Sequence, residues 1–342
     1  MRSSNQVVQS KWDGISSMKH LMVGALATAF IFLITTPIYA TEAADELYQK
    51  GILLHDQWQP SADEYIKKAA DLGNTKAMCL WAEMNKPSMF IHTEESIKYY
   101  KKAKNGGDLC GYAALLTSND VEEAIQGSTP KNVEDEFLEV AKKKAEQGDS
   151  DALFRLSTFT LDKSDSLHYM EMAAEKGNAK AMRTLALSIK DGDGWYLFPG
   201  SRNRAVREWM EKSAEAGNPL AMLDLADMYY AEDRSKSILW FNKAVDKGFS
   251  RALNFMAVSY SGCYEEAPYK FNVDLTKAYF YAFVIKQSFG DGGIDRMAVD
   301  ALLPKLEKKM TPAEIKQAKQ EAHEWLKTHQ VRDYSVEFGM YL

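Results

Sequence analysis

The chain has 342 residues, of which 46% are hydrophobic and 26% are charged, with only 20 glycines and 9 prolines. This composition excludes a disordered, collagen-like or multi-span membrane protein. With 42 basic and 48 acidic residues the formal net charge is −6, and no basic block is present to match a phosphate backbone, so we expect no binding of nucleic acid.

The N-terminal segment predicts export. Residues 21–40 are uncharged, and their strongly apolar part, 21–34, has the length of a signal-peptide core. Pro37 and Ala40 then supply an extended chain and a small side chain for cleavage. We predict a cleaved signal peptide at 1–40, with Met18 as an alternative start, and a retained inner-membrane anchor as the competing interpretation. Either places the chain in the periplasm or outside a bacterium, with membrane contact only if this segment stays uncleaved.

A repeat governs the rest of the chain. Its glycines recur every 29 to 41 residues, at Gly73, Gly107, Gly148, Gly177, Gly217 and Gly248. Four residues after five of these glycines stand Ala77, Ala152, Ala181, Ala221 and Ala252, with Gly111 in the remaining unit. A leucine or another large apolar residue follows eight residues after each glycine, and an aromatic residue precedes most of them by eight.

These offsets predict paired helices. Spacings of four and eight place the alanine and the large residue on one helical stripe, and the glycine ends the preceding helix. Because one helix pair cannot bury both of its faces, neighbouring pairs must stack. The alanines mark close helix crossings, so Ala181→Leu is expected to cost ~1–3 kcal/mol. Trp209→Ala, in the aromatic column, is expected to cost ~3–5 kcal/mol.

The motif resembles the Sel1-like repeat family, relatives of the tetratricopeptide solenoids. The segment from Ala181 to Gly217 carries the likeness best, with Leu185-Ala186, the pair Gly192 and Gly194, and Trp209. The likeness extends over about 45–326. It implies an all-α, α/α superhelical solenoid of about seven helix pairs at 41–293, followed by capping helices and a tail at 294–342. The closing helix has its own start signal in Thr311-Pro312-Ala313-Glu314.

The sequence shows no catalytic constellation, so we predict a protein that is not an enzyme, with no metal and no cofactor. Its histidines lack metalloprotease spacing, and no serine lies in a nucleophile-elbow motif. The run Asp191-Gly192-Asp193-Gly194 resembles a calcium loop only faintly, because Arg202 takes the place of the twelfth-position acid. The three cysteines, Cys79, Cys110 and Cys263, could pair in an oxidising compartment; a bond between Cys79 and Cys110 is possible, but buried thiols are favoured, and the odd count leaves at least one cysteine unpaired.

Two long loops carry the candidate partner-binding residues, which are Trp195, Tyr196, Phe198, Tyr264, Tyr269 and Phe271. Aromatic residues in such loops either fold back to plug the groove or present a contact surface rich in Trp and Tyr. The plug is the favoured interpretation of the two, and the contact surface is the one that would give these residues a function.

These features together predict an exported solenoid that binds another protein through its groove and loops as an adaptor or inhibitor. The sharper hypothesis is an immunity protein that occludes an effector directed at the cell envelope, as the family resemblance implies. The alternatives are an envelope or signalling adaptor and a cell-wall or β-lactam hydrolase. The hydrolase is disfavoured because the chain lacks the cysteine pair in each repeat that the relatives linked to this activity carry.

Overall fold

The computed structural model of the chain describes residues 41–87, 91–116 and 130–338. The predicted signal peptide lies outside these residues. The described part contains seventeen helices and no β-strand. They are α1 (41–56), α2 (Ala62–Asp71), α3 (Thr75–Met84), α4 (Glu94–Asn105), α5 (Leu109–Leu116), α6 (Pro130–Glu146), α7 (Ser150–Phe159), α8 (Lys163–Glu175), α9 (Ala179–Asp191), α10 (Ser201–Glu215), α11 (Pro219–Tyr230), α12 (Arg234–Asp246), α13 (Ser250–Ser261), α14 (Leu275–Ser288), α15 (Ile294–Glu307), α16 (Pro312–Leu326) and α17 (Ser335–Phe338).

Successive helices pack as pairs, which confirms the all-α solenoid. The six repeat glycines all have positive φ, between 75° and 104°, and each follows the second helix of a pair. A side chain at such a position is strained, so glycine is the residue that lets the chain turn there. After five of the six glycines the chain enters the next helix through an Asn or Asp cap, as where Asn178 Oδ1 accepts a hydrogen bond from Ala181 N at 2.9 Å.

Small residues line the helix crossings. Ala181 has no exposed surface, and the same holds for the other alanines of that column, Ala77, Ala152, Ala221 and Ala252. In the one unit without alanine, a Cβ on Gly111 would lie 2.5 Å from both Lys104 N and Tyr100 O. The column therefore keeps small residues because a neighbouring backbone passes close by.

The apolar core divides into two clusters that meet on α7. Leu156 belongs to the cluster of the N-terminal helices, whereas Leu153 belongs to the larger cluster that extends to the C-terminal end. Helices α15 and α16 contribute Leu302 and Ala318 to this larger cluster, so their core is continuous with that of the last repeats. The predicted cap thus shares one core with the helix pairs that precede it.

The segment after α16 returns across the molecule as a strap, residues 330–338, which we call the C-terminal clasp. Arg332 N donates to Gly248 O at 2.9 Å, and Ser250 N donates to Arg332 O at 3.0 Å. Phe249 occupies the N-cap position of α13 without capping it, so the clasp supplies an acceptor there. A Cβ on Gly248 would lie 1.9 Å from Gln330 O, so glycine is needed for this crossing.

The clasp continues to the other end of the solenoid. The Arg332 guanidinium pairs with the fully buried Asp56 carboxylate at 2.8 Å, and Trp58 Nε1 donates to Asp333 Oδ2 at 2.9 Å. Val336 is buried in the N-terminal core cluster. Independently, Gly290 N donates to Gln57 O at 2.9 Å. The first helix pair therefore contacts the last, so the array of helices closes on itself.

Candidate interaction surface

The loop between α9 and α10 is held by an arginine that follows it. The Arg202 Nη1 group donates to Ile189 O at 2.6 Å and to Asp193 O at 2.7 Å, and its guanidinium lies 4.9 Å from the centre of the Tyr196 ring. Gly194 has a φ of +79° within this loop. These contacts fix the base of the loop while leaving its tip outside the core.

The tip of this loop carries exposed apolar side chains. Trp195 is 91% exposed, Phe198 is 78% exposed and Leu197 is 76% exposed. Tyr196 instead packs against the larger core cluster. The three predicted residues of this loop therefore differ. Tyr196 folds back against the core as a plug would, whereas Trp195 and Phe198 point into solvent.

A second connection lies beside this one. Lys163 Nζ, at the start of α8, pairs with Asp193 Oδ1 at 2.6 Å. Two residues before Lys163 stands Leu161, which is 97% exposed. We call Leu161, Trp195, Leu197 and Phe198 the loop ridge. Large apolar side chains that remain solvent-exposed on adjoining loops are the type of surface that partner proteins cover.

The loop between α13 and α14 behaves differently, because its aromatic side chains are largely covered by the fold. Tyr269 is only 8% exposed, its ring lies 4.8 Å from that of Phe241, and its hydroxyl donates to Asp227 Oδ1 at 3.2 Å. Burial and the neighbouring Asp227 carboxylate raise the pKa of Tyr269 above its ordinary value. Phe271 packs on Tyr260 and on Phe241. Both side chains plug the fold, the alternative that the sequence favoured for long aromatic loops.

Tyr264 is half-buried beside the same loop. Lys305 Nζ lies 4.2 Å from the centre of its ring, and Cys263 next to it is unpaired with its Sγ atom 3.6 Å from Lys309 Nζ. This residue packs against α15 and lies apart from the loop ridge. The structure therefore does not bring the six predicted aromatic residues together on one surface.

Cys79 and Cys110 form a disulfide, so the prediction of buried thiols is wrong. The bond joins α3 to α5 with a Cα–Cα distance of 6.3 Å. Asp108 lies close to the same sulfur atoms, but two bonded cysteines cannot act as thiolate ligands, and no other group of potential metal ligands occurs in 41–87, 91–116 or 130–338. In the same ranges no helix is both long enough and apolar enough to cross a membrane.

Sequence reasoning missed three features of this structure. The Asn/Asp residue directly after five of the six glycines caps the next helix, and that column was visible as Asn74, Asp108, Asp149, Asn178 and Asn218. Leu161 gave no signal, because a single leucine in a short connection has no pattern around it. The clasp gave none either, since its contacts join residues about 275 positions apart.

No protein-family model matches the chain, and no curated protein matches it. Among solved structures it is similar to a protective antigen of uropathogenic Escherichia coli described as displaying an SLR fold, with 17% identity and a TM-score of 0.44 over 85% of this chain and 68% of that chain. It is also similar to a Sel1 repeat protein from Oxalobacter formigenes, with 19% identity and a TM-score of 0.40 over 72% and 99%. An immunity protein from Pseudomonas aeruginosa matches with 16% identity and a TM-score of 0.41 over 78% and 86%.

The solved structures to which the chain is similar thus include Sel1-repeat proteins, the family that its motif resembles. All three identities are below 20% and all three TM-scores are below 0.5. The case for a function therefore rests on the side chains of this chain.

Proposed function

We propose that this protein is a non-enzymatic, exported solenoid that binds another protein through the loop ridge. The observation that carries the proposal is the exposure of Trp195, Leu197 and Phe198 on a loop whose base is fixed by Arg202. A surface held in place before binding loses little conformational entropy on association, and buried Trp side chains dominate many interfaces.

The joined ends of the array favour the loop ridge over the inner groove as the binding surface. Because the clasp and the contact between Gln57 and Gly290 join the two ends of the array, an extended partner cannot be threaded along an open groove. The loop ridge lies on the outer edge formed by the C-terminal ends of α7 and α9. A folded partner can reach that edge without any change in the solenoid.

More specifically, we propose that the protein is an inhibitor. An exported solenoid that covers the working surface of an effector directed at the cell envelope would act as an immunity protein, with a periplasmic location. The disulfide between Cys79 and Cys110 supports the oxidising compartment that this role requires. An adaptor of envelope assembly or signalling would use the same surface. Identifying the bound partner distinguishes an adaptor from an inhibitor.

The test is protection and capture by the full chain. Cells that produce a co-encoded envelope effector should survive with the wild-type protein and lose protection with Trp195→Ala plus Phe198→Ala. Purified effector should bind the double variant at least tenfold more weakly, as expected when a buried aromatic anchor worth about 2 kcal/mol is removed. Leu239→Ala is the matched control, because Leu239 is 52% exposed but lies on α12, outside the ridge.

Two results would count against the proposal. Undiminished protection and capture by the double variant, with normal melting, would remove the loop ridge as the site. Covalent labelling of the purified chain by a penicillin would instead favour the hydrolase, which the proposal excludes.

A further inference from the structure

A second surface lies at the opposite ends of the same helices. A cavity of about 690 Å³ opens between the N-terminal ends of α3, α5, α7 and α9 and the clasp. Along α9, eleven residues separate Lys180 at this cavity from Asp191 at the loop, which is about 17 Å at 1.5 Å per residue. The cavity is therefore separate from the loop ridge. Its volume lies in the range of small-molecule sites.

The walls of this cavity carry five basic side chains. They are Lys76, Lys144, Arg155, Lys180 and Arg332, and we call the cavity the basic cavity. Arg332 is already paired with Asp56 in the clasp. The other four form no ion pair within 4.0 Å with any residue that the structure describes. The cavity thus gathers four cations without an ion pair in a chain whose net charge is −6.

The acidic groups at the cavity have other partners. Asp149 Oδ1 accepts from Asp151 N and Ala152 N, and Asp108 accepts from Cys110 N and from the Thr75 hydroxyl. The Asp151 carboxylate accepts from Asn178 Nδ2 at 2.7 Å, and Glu337 faces Arg332 at 3.5 Å. Asp108 and Asp149 thus bind helix starts, Asp151 binds Asn178 and Glu337 faces the clasp, and none of the four forms an ion pair with Arg155 or Lys180.

Arg155 and Lys180 are also partly removed from water. Burial lowers the pKa of Arg155 despite the attraction of Asp108, Asp151 and Asp149. Burial likewise lowers the pKa of Lys180 despite the attraction of Asp151, and the like charges of Arg155 and Lys76 act in the same direction as burial. Two neighbouring cations with reduced hydration and no direct ion pair have an unfavourable electrostatic energy that the nearby carboxylates offset only in part, and a bound anion would relieve it further.

The backbone adds to the same field. The first residues of four helices line the cavity. The neutral side chains of Asn74 and Asn178 cap α3 and α9, so these helix N-termini keep their partial positive charge, whereas Asp108 and Asp149 offset it at α5 and α7. Ile52, Phe154 and Val336 contribute apolar surface beside the charges. The walls thus combine a positive potential with apolar surface against which the hydrocarbon part of a ligand can pack.

We propose that the basic cavity binds a small anion that bears carboxylate or phosphate groups, with Arg155 and Lys180 as its ligands. Guanidinium and ammonium groups both form charge-assisted hydrogen bonds with these oxygens. The proposal stands apart from the partner-binding function, since it uses other residues at the other end of the helices.

The test is a titration of the full chain by calorimetry with citrate and, separately, with inorganic phosphate. We expect saturable one-to-one binding of at least one of them, and the arm that binds identifies carboxylate or phosphate as the preferred group. Sodium chloride at matched ionic strength serves as the reference for general screening. Arg155→Gln plus Lys180→Gln should weaken binding by about tenfold or more, the effect of losing charge-assisted contacts.

A measurement without anion separates binding from folding. If the two cations serve a ligand, the double variant should melt no lower than the wild type in a chloride buffer, because a repulsion has been removed. Lys180→Gln alone provides the same comparison if the double variant does not fold. Lys190→Gln, an exposed lysine at the far end of α9, is the matched control and should bind as the wild type does.

The proposal is overturned if neither citrate nor phosphate binds more strongly than chloride accounts for. It is also overturned if the Arg155 and Lys180 variants bind as well as Lys190→Gln. A fall in melting temperature of Lys180→Gln without anion would assign these side chains a structural role instead.

Discussion

The alanine column shows how closely single side chains set the spacing of the helices. Ala181 is fully buried at the start of α9, where Asn178 caps the helix and the preceding pair packs against it. We expect Ala181→Leu to cost about 1–3 kcal/mol, because three additional carbon atoms must displace a close-packed neighbour. Urea denaturation measures this cost. The matched control is Ala205→Leu in α10, a half-buried position, and equal stability of the two variants would contradict the crossing.

The aromatic column is less uniform than the sequence predicts. Trp240 is 7% exposed, whereas Trp209 is only half-buried, with Lys212 Nζ lying 4.2 Å from its ring. The expected cost of about 3–5 kcal/mol for Trp→Ala therefore belongs to Trp240→Ala. Trp209→Ala should cost clearly less, since part of its surface stays in water in the folded chain. Thermal melts of the two variants compare the sites directly, and a larger loss at Trp209 would contradict this assignment.

The repeat made the glycine and alanine positions predictable from the sequence. Six units in agreement fix the glycines, the alanines and the helix directions, because each column answers the same local requirement in every pair. Tyr269 and Phe198 occur once each, and no periodic signal tells a buried loop aromatic from an exposed one. The difference depends on the tertiary partners Asp227 and Phe241, which are far from Tyr269 in the sequence.

The disulfide between Cys79 and Cys110 joins two helices in neighbouring repeats. The positions of the two cysteines within their repeats did not predict it. Cys79 and Cys110 stand at different offsets from their glycines, but α3 and α5 bring them to a Cα–Cα distance of 6.3 Å, within the range for a disulfide. Helix offsets within a unit are readable from sequence. The shift of one helix along its neighbour is set by packing, so the pairing was not predictable from the register.

Reduction of this bond should destabilise the N-terminal repeats. A bridge across a sequence separation of 31 residues is expected to contribute about 2–4 kcal/mol, mainly by restricting the unfolded chain. Urea denaturation with and without a reducing agent should therefore show a lower midpoint for the reduced protein. Cys263→Ser should respond to the reductant as the wild type does, because Cys263 is unpaired. An unchanged midpoint in the wild type would show that the bond contributes nothing to stability in solution.

For the whole molecule, closure of the array is the property that sequence reasoning did not reach. The repeat predicts stacked pairs but not how far the stack curves, since small rotations between pairs accumulate along the array. The clasp fixes that curvature by tying Asp56 and Trp58 in the first pair to Arg332 and Asp333 after the last helix. The two ends of the array are therefore joined, and this favours the loop ridge over an open groove as the proposed partner site.

Two acidic groups meet at the clasp, Asp56 from α1 and Asp333 from the clasp itself, and their pKa values are shifted in opposite directions. Burial disfavours the charge on Asp56, yet His55 and the Arg332 guanidinium hold the pKa of Asp56 below its ordinary value. Burial and the adjacent Asp56 charge raise the pKa of Asp333 from 3.8 to about 6. Below about pH 6 the folded chain therefore favours ionised Asp56 beside protonated Asp333.

These shifts predict a stability that depends on pH. Because the pKa of Asp333 is higher in the folded chain than in the unfolded one, its contribution is fully present below about pH 4 and is lost as the pH rises to about 6. The contribution of Asp56 is lost instead as the pH falls below its ordinary pKa of 3.8. Replacing Asp333 by asparagine keeps an acceptor for Trp58 Nε1 and for Ser335 N while removing the charge. We expect Asp333→Asn to be more stable than the wild type at pH 8 by roughly 1–3 kcal/mol and to match it near pH 4.

Urea denaturation of both proteins between pH 4 and pH 8 measures this difference. Asp191→Asn, an exposed aspartate at the end of α9, is the control and should follow the wild-type curve at every pH. Arg332→Gln should act in the opposite sense to Asp333→Asn at pH 8, because it leaves the fully buried Asp56 without its counter-charge. If Asp333→Asn and the wild type stayed parallel over this range, Asp333 would be ionised throughout in the folded chain. The closed ends would then be held by the Arg332 pair and the backbone contacts, with no part played by a protonated Asp333.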